Sequence, residues 1–166
     1  LDRTFDVLAP EEGLILLRKP DGSIERAATR QAPGATGEVV VSRRIVDEVI
    51  GKLKPALVMD AAMDERLLGS DSIIMSGIRS VVAAPLADAE GALGLIVLSS
   101  RVRVRQFTEE DLDLLVSLAS AAALRMRNVA LAEEAAARRV LDRELALAHE
   151  IQMSMLPRRP PVRLEV

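Results

Sequence analysis

From Thr108 to Leu156 the sequence contains neither Gly nor Pro, a run of nearly fifty residues. Thr108-Glu109-Glu110-Asp111 stands at its start with the spacing of a capping box, and the acidic residues fall where a helix dipole favours them. The spacing predicts one continuous helix, about 70 Å long at 1.5 Å per residue. A small domain cannot cover such a helix. Its first part, Leu112 to about Met126, is apolar enough to pack on a sheet. The remainder, 127–156, is rich in Ala, Arg and Glu, with Val140, Leu141, Leu145, Ala148, Ile151 and Met155 assigned to one side. From Leu141 onward the apolar spacings are four, three, three and four, a narrow stripe that suits helix–helix association better than burial in a globular core. This segment needs a partner helix.

What precedes the helix alternates short apolar runs with turn signals. Residues 14–18 lead through Pro20-Asp21-Gly22 into 23–29, a hairpin signal whose more polar second strand suits a sheet edge. Residues 30–41 read as a loop. Ser42 stands at an N-cap position before a helix with Ile45, Val46, Val49, Ile50 and Leu53 at helical spacing, closed by Pro55. Ala56 to Met59 reads as a short buried strand, and 61–78 as helical turns and loops. Residues 80–87 and 92–100 flank the turn Asp88-Ala89-Glu90-Gly91; both runs are apolar on each face, as in central strands covered on both sides.

Composition narrows the function. Of 166 residues 49% are hydrophobic and 28% charged, so a folded aliphatic core is expected. The net charge of −3 offers no clustered positive field for nucleic acid, and two Phe with no Trp or Tyr leave no stacking platform for bases. With no Cys there is no disulfide, thiolate-held metal or thiol nucleophile, and one His, His149, leaves no His pair for a metal. No run of about 18 consecutive apolar residues and no secretory signal is visible, so a cytoplasmic location and no membrane partner are expected. The chain starts at Leu1 and stops at Val166 in the manner of a piece of a longer polypeptide.

SGIRSVVAAPLADAEGALGLIVLSS at 76–100 followed by FTEEDLDLLVSLASAAALRMRN at 107–128 resembles the second half of a GAF domain, and Ser42–Val46 and Pro55–Asp60 match the family's layout. The resemblance covers roughly residues 5–128. It implies a mixed α/β (α+β) fold: a six-stranded antiparallel sheet flanked by helices, with 1–9 the remnant of a truncated first helix, in a signalling protein. A second resemblance lies in Arg143–Gln152 with Met155-Leu156-Pro157, which is similar to the phrase preceding the catalytic domain of bacterial metal-dependent serine/threonine phosphatases of the stress-response and sporulation type. The two together imply a GAF domain at 1–128, a signalling helix at 129–156, and at 157–166 the start of a missing phosphatase-like domain. That domain would use manganese or magnesium through residues beyond Val166; the present chain is expected to hold no cofactor or metal and no catalytic group.

By family analogy the GAF pocket lies between the sheet and the 60–80 segment. Asp60, Met63, Ser72, Met75, Ser76 and Arg79 are its candidate lining, with Arg79 able to clamp a carboxylate. The competing reading makes Asp60 and Ser72 helix caps and Arg79 a surface residue. The N-K-F-D-E signature of the cyclic-GMP-binding branch is absent, bilin attachment lacks its Cys, and His149 lies far in sequence from any haem pocket. A small non-aromatic effector therefore remains as ligand, or none. Arg101, Arg103 and Arg105 alternate along RVRVRQ and read as solvated. The expected function is a regulatory sensor that forms a homodimer through Leu141, Leu145, Ala148, Ile151 and Met155 and signals to a phosphatase; the alternative is a ligand-free dimerisation module coupling another sensor to its output.

Overall fold

The computed structural model describes residues 1–35, 41–64, 77–101 and 106–155, the Met155 side chain excepted. The elements are α1 (Asp2–Leu8), β1 (Glu12–Arg18), β2 (Ile24–Gln31), α2 (Arg43–Lys52), β3 (Ala56–Val58), β4 (Ser80–Asp88), β5 (Gly91–Ser100) and α3 (Glu109–Met155). Two compact units divide the chain, 1–126 and 127–166.

In the first unit the strands form an antiparallel sheet of order β2-β1-β5-β4-β3. The family resemblance implies six strands; the described residues form five, four marked by apolar runs and the fifth, β2, by the hairpin signal before it. Arg30 and Gln31 belong to β2 rather than to the loop expected at 30–41, because they pair with Gly13 and Glu12. The exposed, polar β2 takes an edge, and the doubly apolar β5 takes the centre.

Alternation along the strands divides the core in two. Leu14, Leu16, Val81, Ala83, Leu95 and Val97 face Ile45, Val46 and Val49 of α2. Val82, Ala84, Leu86, Ile96 and Leu98 face Leu8 of α1, Phe107, and Leu115, Ala119 and Ala123 of α3. The small Ala side chains at four-residue spacing let α3 lie close to the sheet, and Leu115, wholly buried, contributes about 2 kcal/mol by its burial. By length and composition α3 could also cross a membrane, with 17% of its most apolar window buried. Leu115, Ala119 and Ala123 are the residues it buries against the sheet, while most of the remaining apolar positions of that stretch face outward.

The ends of the helices differ in how they are held. At α3 the box closes reciprocally: the Thr108 N–H donates to Asp111 Oδ2 at 2.9 Å and the Asp111 N–H to Thr108 Oγ1 at 3.3 Å. At α2, Ser42 sits at the N-cap with an extended backbone, but its side chain makes no capping bond. That helix stops at Lys52, before Pro55, where Leu53 turns left-handed at φ 52°. Phe107, just ahead of α3, is a core residue. Phe5 is only partly buried; the Arg30 guanidinium lies 4.7 Å over its ring and also pairs with Asp2.

Candidate functional site

Of the six candidate pocket residues, Ser72, Met75 and Ser76 lie outside the described residues. Asp60 and Arg79 belong to segments tied together by the backbone, since the Ala61 N–H donates to the Arg79 carbonyl at 2.7 Å. The Asp60 carboxylate accepts from the Ala62 N–H at 3.0 Å and so caps its own turn, with Met63 N–H donating to the Asp60 carbonyl at 3.1 Å. Met63 is 82% exposed, and Arg79 is exposed at the start of β4. These three positions share one end of the sheet, but their described contacts are those of a capped turn.

The structure shows a polar cluster that the sequence reading passed over. Glu12 is completely buried at the start of β1, on the α2 face, between its register partners Gln31 on β2 and Ser99 on β5. Its carboxylate accepts from Arg101 Nη2 at 2.6 Å, Ser99 Oγ at 3.2 Å and Gln31 Nε2 at 3.3 Å. The Arg101 backbone N–H donates to the neighbouring Glu11 carboxylate at 2.9 Å. Both oxygens of Glu12 are engaged by donors, so the group serves as a clasp between strands. The signal in the sequence was an ionisable residue two positions ahead of LILLR, on the same strand face as Leu14 and Leu16; its partners lie 19 and 87 residues away.

Two of the clefts on the first unit are formed by described residues. One, of about 440 Å³, has Ile15, Leu86 and Ile96 as its floor, Thr4 and Leu118 beside it and Arg125 at its rim. The other, of about 360 Å³, lies by the start of α2 among Leu16, Ile24, Val46, Arg26, Arg43 and Asp47. Neither is lined by Asp60, Met63 or Arg79. Among the described residues no group of three or more His, Asp and Glu side chains is placed to hold a metal.

In the second unit the expected stripe is exposed: Leu141 55%, Leu145 60% and Ile151 54%, with Ala148 exposed beside them. Val129, Leu131, Val140, Leu147 and Met153 are also more than half exposed. Val129, Val140 and Ile151 recur at intervals of eleven residues, about three helical turns, so Val129 extends toward the start of the unit the side to which Val140 and Ile151 are already assigned.

A family model described as GAF domain matches residues 1–126. A search of curated proteins finds no match by sequence. Among solved structures, the blue-light-absorbing form of the PixJ GAF domain of Thermosynechococcus elongatus is similar at 16% identity and a TM-score of 0.66, covering 83% of this chain and 86% of that one. The GAF domain region of a putative membrane protein from Geobacter sulfurreducens is similar at 21% identity and a TM-score of 0.61, over 76% and 89% of the two chains. A domain of a putative two-component sensor histidine kinase from Sinorhizobium meliloti is similar at 17% identity and 0.57, over 84% and 92%. At these identities the neighbours show a shared fold, and the family match shows descent: the chain belongs to the GAF domain family.

Proposed function

We propose that this chain is a regulatory sensor module which pairs with a second copy through 129–156 and passes a signal along that helix to a protein serine/threonine phosphatase domain. The observation that carries this reading is the exposed apolar stripe. Leu141, Leu145 and Ile151 are each more than half open in a single chain, and a helix whose aliphatic residues remain in water gains by laying them against another helix. The Arg143–Gln152 phrase supplies the phosphatase assignment, in which manganese or magnesium belongs to the downstream domain and this module holds no catalytic group. The structural neighbours include a cyanobacteriochrome GAF domain, a far-red cyanobacteriochrome photoreceptor and a domain of a putative two-component sensor histidine kinase, which agrees with a signalling role. Thioether-linked bilin has no thiol here, and a base or quaternary amine finds only two Phe in the chain, so the effector is a small non-aromatic molecule; nucleic acid and membrane are not partners in this account. The module would act in the cytoplasm.

A second reading, a ligand-free dimerisation module that couples another sensor to its output, is favoured by the Asp60 carboxylate, which accepts from the Ala62 N–H and so caps its own turn. Thermal-shift screening against small carboxylic and polar metabolites separates the two: a stabilising hit, lost in Arg79→Ala, supports the sensor, and silence across the screen favours the scaffold. Sedimentation at micromolar concentration tests the pairing common to both. A dimer that Leu141→Glu with Leu145→Glu converts to a folded monomer is expected; a wild-type monomer contradicts it.

A further inference from the structure

The hydroxyl of Ser80 joins three parts of the first unit that are far apart in sequence. It is wholly buried at the first position of β4. It donates to the Val58 carbonyl, the last residue of β3, at 2.9 Å, and accepts from the Phe107 N–H, just ahead of α3, at 3.1 Å. A serine hydroxyl can do both at once because it carries one donor and two acceptor positions. Val58 and Phe107 are themselves 1% exposed, so neither backbone group has water as a ready substitute.

The two ends of this bridge are the parts that a sensor must connect. On one side, Val58 runs into the Asp60–Met63 turn, which is fastened to the same corner of the sheet by the Ala61 N–H to the Arg79 carbonyl at 2.7 Å. On the other, Phe107 is adjacent to Thr108, which opens the capping box of α3. Ser80 is also the register partner of Ser100, whose carbonyl accepts from the Arg79 N–H at 2.8 Å, so its backbone is fixed from the central strand. A hydroxyl on a fixed backbone, bonded on both sides in a low-dielectric interior, transmits a shift of one partner as a weakened bond to the other.

We propose that Ser80 is the coupling residue of this domain: its hydroxyl relays displacement of the β3 exit and the Asp60 turn to the Phe107 N–H and thereby to the first turn of α3. Leu115 and Ala119 anchor the helix body on the sheet, so the relay acts on how firmly the N-terminal turn is held. The role is one of positioning, and it rests on the reading of α3 as the output helix only for its biological meaning; the coupling itself is a property of the single chain.

Amide hydrogen exchange across a double-mutant cycle of Asp60→Ala and Ser80→Ala tests it in the full chain. Asp60→Ala removes the side-chain bond that closes the turn. With Ser80 present, it is expected to speed exchange at Phe107 and Leu112 by about fivefold relative to Leu95 and Leu98, which report global opening. Ser80→Ala is expected to raise the Phe107 rate by about tenfold by itself, and in that background Asp60→Ala adds nothing. A merely structural serine would give the first Ser80 effect without changing the response to Asp60→Ala. Equal responses in the two backgrounds, or no response at Phe107 with Ser80 present, overturn the proposal. If Ser80→Ala does not fold, Ser80→Cys, of similar size and with weak hydrogen bonding, takes its place in the cycle. A monomeric protein that still shows the non-additivity keeps the relay and loses the dimer.

Discussion

Gly94 of β5 lies opposite Leu17 of β1. A Cβ built on it would sit 2.1 Å from the Leu16 carbonyl oxygen and 3.0 Å from the Leu17 Cα, both backbone atoms of the neighbouring strand. Neither can yield without opening the ladder, so Gly94→Ala is expected to cost about 3 kcal/mol in urea unfolding, with loss of less than about 0.5 kcal/mol contradicting the packing. A residue at the opposite extreme is Asp21, in the exposed β1–β2 turn where Gly22 adopts φ 84°. Hydrogen bonds from the Ser23 hydroxyl and then from the Ser23 N–H hold its carboxyl below the usual carboxylate range. A depressed acid contributes stability above its unfolded-state pKa and loses it as pH falls through the folded value, so this turn loosens only in acid. Ser23→Ala should move the Asp21 carboxylate titration upward by NMR; an unchanged midpoint would show that the hydroxyl does not hold it. Between these extremes stands Glu12. Glu12→Ala removes the carboxylate that Arg101, Ser99 and Gln31 share and is expected to cost about 3 kcal/mol. The half-exposed Lys19–Glu25 pair should lose under about 1 kcal/mol on Glu25→Ala. Equal costs in the same denaturation assay would refute the buried clasp. Glu12 was hard to read in advance because an acid beside Gly13 resembles turn chemistry until its distant partners are known.

At the scale of elements, legibility followed the physics of burial. The strands β4 and β5 were visible as the runs 80–87 and 92–100 because their two faces meet two different helical layers, which demands apolar residues at consecutive positions. The start of α3 was visible because a capping box is a local device, complete within four residues. Asp111→Ala should therefore lower stability by about 1 kcal/mol, checked by chemical denaturation, whereas the exposed Glu110→Ala should be near neutral. Where an element depends on something remote, its sequence was silent or misleading. Ser42 has the right identity for an N-cap and does not form the bond. The sixth strand was implied by family likeness alone, with no apolar run to mark it. Ser80 looked like the polar first residue of a strand, and its bonds to Val58 and Phe107 span 22 and 27 residues. Half of the proposed pocket lining, Ser72, Met75 and Ser76, falls outside the described residues, and the other half shows a capped turn and exposed side chains.

For the whole molecule the consequence is a division of labour. The first unit completes its own core on both faces of the sheet, while the second leaves Leu141, Leu145 and Ile151 in water. The central claim is that a second copy of the same stripe covers them. Because the chain contains no Cys, single cysteines can be introduced one at a time without background. Oxidative cross-linking at Leu141→Cys, Leu145→Cys, Ala148→Cys and Ile151→Cys, with Ala146→Cys as the position off the stripe, tests the claim most directly. Facing parallel helices predict disulfide-linked dimers at stripe positions and little at 146. Absence of dimers along the stripe, or equal yields at 146, would contradict the account.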